Sequence, residues 1–437
     1  MSERMMVSME SLIKSISMGP FGSDVKVEYM KDTGVPIIDG SNLTSIKMNM
    51  NSYRYLDEDK AKKLDAALAH KGDIIVTHRG TLGQLSYVPE DCPFDEVLIS
   101  QSQFRVTLDT SQVNPVYFAY YFHTVEGQKR LLSFANYVGV PALACATTNF
   151  RKLSFPLIPL EEQNRIATLL EKIDLSIANN NAIISELEAM AKDIYDYWFV
   201  QFDFPDENGR PYKSSGGRMV WNEDLNREIP DGWKPTRFGD LVTVKRGISY
   251  SASNLVDAGL PMINLNSFTP SATYKTSGIK YYKGEVKDGG QVNAYDLLMC
   301  TTQQTDIDGK TDIIGKTMLI PDLFDSQMVY SMDLVRIQTD ELLKTVIVSE
   351  TKTPWYNKYI TGFATGTSIL HLKLDGFLSY QIPLPKGTAI LKHFNSLYME
   401  LERRKSIAMK ENEELTSLRD WLLPMLMNGQ VKVGGVA

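Results

Sequence analysis

Residues 166–198 read IATLLEKIDLSIANNNAIISELEAMAKDIYDYW, and the spacing of side chains along this run decides the fold. Ile166, Leu170, Ile173, Ile177, Asn180, Ile184, Leu187, Ala191, Ile194 and Trp198 follow one another by alternating steps of four and three. That is a heptad seam, the narrow stripe that a helix buries against another helix of the same kind. A second run lies towards the C-terminus: Ile390, Phe394, Leu397, Leu401, Arg404, Ala408, Glu411, Leu415, Leu418, Leu422 and Met425. Neither run contains Gly or Pro before Pro424. About 40 helical residues at ~1.5 Å each would span about 60 Å. The order globule, helix, globule, helix predicts an antiparallel pair within this chain. Asn180, Arg404 and Glu411 fall on the expected seam, where a polar side chain either fixes the register or reaches out to water.

The globules on either side repeat each other. Gly139, Phe150 and Pro156 return at one constant offset as Gly366, Phe377 and Pro383, and Gly34-Val35-Pro36-Ile37-Ile38 is echoed by Gly259-Leu260-Pro261-Met262-Ile263. The period is far longer than the 20–50 residues of a solenoid unit, so it marks two similar domains. Asp73–Thr77, Leu85–Val88 and Phe104–Leu108 read as strands, and Val116–Phe134 reads as helix. Asp296–Thr301, Gly315–Pro321 and Met332–Ile337 parallel the three strands in the same order. The expected fold is α+β: two similar α/β domains, 1–156 and 236–385, separated by a pair of long antiparallel coiled-coil helices, 157–200 and 386–430, with a turn-rich connector over 201–235.

Bulk properties narrow the class. The 437 residues hold 43% hydrophobic and 23% charged side chains, ordinary for a water-soluble fold of more than one core. No apolar run suits a membrane span or a secretion signal, so a cytoplasmic protein is expected. Cys92, Cys145 and Cys300 are far apart and read as buried free thiols. The net charge of −7 argues mildly against nucleic acid, although a local basic cleft can coexist with an acidic remainder.

Catalytic motifs fail on inspection. Asn114-Pro115-Val116-Tyr117 is similar to the N-P-P-Y of amino-methyltransferases but lacks the second proline, and a proline-started helix accounts for it. Gly309 to Thr317 has five residues between its glycines where a phosphate-binding loop needs four, and a strand follows where a helix is required. His70, His78, His123, His371 and His393 show no metal-ligand spacing. No metal site and no catalytic residue is expected in this chain.

The start of the central helix carries a family likeness. Phe155-Pro156-Leu157-Ile158-Pro159-Leu160-Glu161-Glu162-Gln163-Asn164-Arg165-Ile166-Ala167 closely resembles the conserved-region signature of Type I restriction–modification specificity subunits. So do Tyr195–Pro205, Ile229-Pro230-Asp231-Gly232-Trp233, Gly19-Pro20-Phe21-Gly22-Ser23, Gly72–Gly80 and Leu418–Gly429. The likeness covers nearly the whole chain, including its internal repeat. One departure stands out: the second helix begins after Pro383-Leu384-Pro385-Lys386-Gly387-Thr388, without the Glu-Gln-x-x-Ile-Ala element.

The resemblance implies a non-catalytic DNA-binding subunit. Each target-recognition domain would read one half of an asymmetric, interrupted sequence in double-stranded DNA, and the helix pair would set the gap. Two modification subunits carrying S-adenosylmethionine would methylate adenine, and restriction subunits using ATP and Mg would translocate and cleave. Base edges are read largely by Arg, Lys, Asn and Gln. Loop residues of these and similar types give the candidates Lys26, Asn42, His78, Arg79, Thr81, Gln101 and Gln103 in the first domain. In the second they are Lys245, Arg246, Asn264, Asn266, Thr302, Gln303, Gln304 and Lys310. The rival expectations are a scaffold or decoy without sequence reading, and an enzyme with an unrecognised site.

Overall fold

The computed structural model describes residues 5–286, 289–304 and 313–434. Two units emerge, one of Met1–Ser176 with Leu415–Ala437, the other of Ile177–Glu414. The boundaries fall inside the two long helices, so each unit consists of one globule and one end of the helix pair.

The two globules share one strand order. In unit 1, an antiparallel sheet runs Ile13–Met18, Gln103–Leu108, Ile74–Thr77, Leu85–Tyr87. In unit 2 its counterpart runs Thr243–Arg246, Leu334–Gln338, Leu297–Cys300, Thr317–Leu319. Each globule adds a five-stranded sheet with one parallel pairing, Val35–Ile38 beside Glu96–Ile99 in the first and Leu260–Ile263 beside Met328–Tyr330 in the second. A two-stranded closure joins the globule's first strand to its last: Met5–Ser8 with Ser154–Leu157, and Trp233–Arg237 with Gln381–Pro385. The duplication read from a few glycines and prolines therefore extends to the whole strand order.

Matching polar clasps support the frame. Asp39 caps a short turn by accepting from Ser41 N, while Asn42 returns the bond by accepting from Asp39 N. Asn264 and Ser267 form the same capping box at the corresponding place. The Asp73–Arg105 ion pair at 3.8 Å in the first sheet answers the Asp296–Arg336 pair at 3.0 Å in the second.

The expected helix Val116–Phe134 is broken. Pro115–Phe122 ends, Thr124 Oγ1 accepts from Gly127 N, and a new helix covers Val125–Leu131. Gly127 is required here, because a Cβ would lie 2.1 Å from the Tyr121 carbonyl oxygen. The first of these helices buries Tyr117, Phe118, Tyr121 and Phe122 against Phe150 and Phe155. Of the three thiols, Cys92 and Cys300 are buried but Cys145 is exposed, at the left-handed residue that precedes the helix Ala146–Lys152.

His123 lies in this core, with its Nε2 2.6 Å from the Leu85 carbonyl. Burial holds the ring below its ordinary pKa, outweighing the bond to the Leu85 carbonyl, which opposes it, while nearby Arg419 lowers the pKa further and Asp174 raises it. The unfolded chain binds this proton more readily, so unit 1 loses stability as pH falls below about 6.5 and gains nothing further above it. Thermal unfolding should show a smaller loss between about pH 7.5 and about pH 5.5 in His123→Gln than in the parent.

The helix Leu160–Tyr195, continued by a wider turn over Asp196–Val200, buries the seam read from sequence. Ile166, Leu170, Ile173, Asn180, Leu187, Ala191 and Trp198 are buried, and Ile177, Ile184 and Ile194 are half-buried. The second helix, Ala389–Met427, corrects the reading. Leu397 and Leu418 are 38% and 44% exposed, and Arg404 and Glu411 face solvent. The inward stripe instead follows Leu391, Phe394, Tyr398, Glu402, Lys405, Met409, Asn412, Arg419, Leu423 and Leu426. Ile390, Leu401, Leu415 and Leu422 lie half-buried at its flank. Hydrophobicity could not trace this stripe because much of it is polar.

Three of those polar residues find partners on the central helix, and Glu402 pairs with Lys405 on its own helix. In unit 1, Arg419 Nη1 meets Asp174 Oδ1 at 2.8 Å. In unit 2, Asn412 donates to Asn181 at 2.9 Å and Lys405 lies 3.6 Å from Glu188. Asp174, Asn181 and Glu188 advance by seven while Arg419, Asn412 and Lys405 retreat by seven. This is an antiparallel heptad register written in charge and amide pairs.

Candidate nucleic-acid interface

The loops at one end of each four-stranded sheet are knitted together by backbone hydrogen bonds. In unit 1, His78 N donates to Ser102 O (2.8 Å), Gly19 N to Gln103 O (2.8 Å), Gly80 N to Pro141 O (2.9 Å) and Leu143 N to His78 O (2.8 Å). In unit 2, Thr301 N donates to Asp333 O (3.0 Å), Met332 N to Ile248 O (2.8 Å) and Leu372 N to Thr301 O (2.8 Å). Gly19 and Gly247 make the close approach possible: a Cβ would lie 1.9 Å from Ser100 O in the first and 2.3 Å from Ser331 O in the second. One frame thus presents two sets of side chains.

In unit 1 the frame brings together His78, Arg79, Thr81, Gln101 and Gln103. Arg79, Thr81 and Gln101 are exposed. His78 is half-buried, with its Nε2 3.1 Å from Gln101 O, and burial lowers its pKa, so a neutral ring faces the loop. Gln103 is buried and accepts from Ser100 N at 2.9 Å, which makes it a brace for the loop. Lys26 is exposed on a neighbouring turn, 3.7 Å from Glu28. Asn42 is buried, and its amide bonds Asp39 N, Asn49 O and Ser52 O, which leaves no free edge for a base.

In unit 2, Arg246 and Asn266 are exposed and Lys245 is half-buried. Asn264 is buried, with its amide bonded to Met262 O, Gly278 O and Asn266 N. Thr302–Gln304 forms a strand against Ile369–Leu372. Thr302 is buried, with its hydroxyl 3.4 Å from His371 Nδ1, and Gln303 accepts from Ile313 N and Ile314 N at 2.9 Å each. Lys310 lies outside the described residues. Asn42, Gln103, Asn264 and Gln303 are thus engaged in holding the frame, a duty that residue type alone does not reveal. Two exposed groups were not among the sequence candidates: Phe21, 82% exposed and preceding the Gly22 that lies against Gln101, and the apolar hairpin tip next to Arg79. An aromatic between two glycines was the available signal for the first.

The motif at the head of the central helix also acquires a physical role. Gln163 is fully buried: its Oε1 accepts from Asn114 N, and its Nε2 donates to Gln112 O and Ile158 O. Asn164 accepts from Asn114 Nδ2. Asn114 itself caps the helix that starts at Pro115, and Tyr117 is fully buried, so this segment clamps globule to helix.

Residues 22–189 match the family model described as "Type I restriction modification DNA specificity domain". The chain is 23% identical to the Type I restriction enzyme MjaIX specificity subunit of Methanocaldococcus jannaschii, over 97% of each protein. The chain is thus similar to Type I restriction–modification specificity subunits along nearly its whole length. A putative Type I restriction enzyme MjaX specificity subunit of the same organism is 21% identical over 92% of this chain and 88% of that protein. The crystal structure of a Type I restriction–modification S subunit from M. genitalium shares the fold, with a TM-score of 0.61 at 14% identity, covering all of this chain and 97% of that one. In this chain the two loop faces are the surfaces where the duplicated frame carries different chemistry. Among its described residues no helix is long and apolar enough to cross a membrane.

Proposed function

We propose that this chain is a Type I restriction–modification specificity subunit, a non-catalytic reader of double-stranded DNA in which each unit recognises one half of an asymmetric, interrupted site. The observation that carries this reading is the repeated frame with unlike side chains: His78, Arg79 and Gln101 in one unit stand where Thr301, Thr302 and Met332 stand in the other. A duplicated scaffold with divergent loops suits a target whose two parts differ. The antiparallel helix pair acts as the ruler for the gap. Modification subunits bring S-adenosylmethionine and methylate adenine on either side, and restriction subunits bring ATP and Mg. The protein works in the cytoplasm, where its DNA is.

The test combines the chain with a modification subunit and S-adenosylmethionine and maps methylated adenines across a genome. One bipartite motif is expected. Methylation without sequence preference would favour a scaffold, and methylation by this chain alone would make it an enzyme. Arg79→Ala should then relax one half-site only, at about 1–3 kcal/mol if its contact is bidentate, while the other half keeps its sequence.

A further inference from the structure

Hydrogen bonding to base edges leaves unused a group of apolar side chains on the unit 1 face. Tyr137, Val138 and Val140 are 64%, 86% and 57% exposed. They form the tip of a two-stranded ribbon, Ala135–Asn136 paired with Ala142–Leu143. Between the valines sits Gly139, with φ +74° and open space where a Cβ would be. The base of the ribbon is tied to the recognition loop through Gly80 N–Pro141 O and Leu143 N–His78 O, and Arg79 bridges Ala142. An apolar tip is therefore fixed beside an exposed guanidinium. Large exposed apolar side chains mark a contact surface, and the neighbouring cation selects a partner carrying negative charge.

Unit 2 builds the same ribbon from Ala364–Thr365 and Ile369–Leu372. The pairing registers set Asn136 and Ala142 against Thr365 and His371, so Tyr137-Val138-Gly139-Val140 becomes Gly366-Thr367-Ser368-Ile369, and Arg79 becomes Thr302. A protein partner present as two identical copies would meet the same chemistry at both ribbons. The two tips instead differ in charge and polarity on one frame, as they should if each meets a different sequence. A two-stranded ribbon fits the major groove of B-DNA, about 12 Å wide, where thymine alone presents a methyl group.

We propose that the Tyr137–Val140 tip enters the major groove of the half-site read by unit 1, and that Val138 and Val140 select thymine by packing on its C5 methyl. This inference rests on the DNA-reading function above. It is tested on the complex of full chain and modification subunits, with duplexes in which uracil replaces thymine one position at a time. Uracil at one or two positions of that half-site should weaken binding about three- to tenfold. The double variant Val138→Ser, Val140→Ser should bind thymine and uracil duplexes alike there, yet match the parent across the other half-site. A half-site without thymine, indifference of the parent complex to every uracil, or release of the modification subunits by the double variant would each overturn the proposal, the last in favour of a protein interface. Failure of the DNA-reading function is separable, because it would appear earlier as the lack of any bipartite motif.

Discussion

Removing Ile177–Ile183 together with Lys410–Thr416 is expected to shorten the recognised gap by about three base pairs and leave both half-site sequences intact. The size follows from geometry. Seven helical residues at ~1.5 Å amount to about 10 Å, and DNA rises ~3.4 Å per base pair. The pairing register dictates the double deletion. Asp174 with Arg419 flanks the excised block on one side and Glu188 with Lys405 on the other, so removing matched heptads rejoins the seam in phase. Deleting Ile177–Ile183 alone, the simpler change that the sequence invites, would set Glu188 against the wrong residue and leave the buried Lys405 without that partner. Methylation mapping of the double deletion gives the gap directly. An active variant with an unaltered gap would show that the helices do not measure it.

The second large effect is expected from Glu350→Ala, which should destabilise unit 2 by about 3–5 kcal/mol. Glu350 is buried, and its carboxylate accepts from the Tyr195 and Tyr380 hydroxyls and from Trp355 Nε1 at 2.9 Å. Burial, reinforced by the Glu350 charge, pushes both phenols well above their usual range, so they remain donors at any working pH. Alanine would strand three donors at once and remove the carboxylate that faces Arg227 across a cavity of about 190 Å³. Arg227 would keep only its place over the Phe202 ring, 4.7 Å from the centroid, and a 3.3 Å bond to Phe199 O. Glu350→Gln retains one acceptor and should cost less. Of the five tryptophans, Trp198, Trp221, Trp233 and Trp355 lie in unit 2, so denaturant titration followed by fluorescence reports chiefly on this unit. Equal stability of parent and Glu350→Ala would mean that the network contributes nothing net. The functional counterpart is loss of the unit 2 half-site before the unit 1 half-site as temperature rises.

Residue type alone does not separate exposed loop side chains from those that brace the frame. Arg79, Thr81 and Gln101 lie on exposed loops where a target can reach them. Asn42 and Asn264 have the same side chain as many base readers, but each closes a tight turn in the backbone. An amide that bonds backbone groups on both sides is indistinguishable in sequence from one that waits for adenine. Gln163 shows the reverse: a motif known first as a family mark proves to be a buried clamp between globule and helix.

The sequence by itself determined the repeat, three strands of each copy and the seam of the central helix, because these depend on local rules. Glycine is needed where backbones nearly touch, apolar runs become buried strands, and a heptad of apolar side chains must find a partner. Tertiary structure decided the inward face of the second helix, since Glu402, Lys405, Asn412 and Arg419 are turned inward by partners that hydropathy does not register. It also decided which amides brace the loops and which remain free. Both questions turn on pairing between residues distant in the chain, and periodicity along one segment carries no record of what that segment will face.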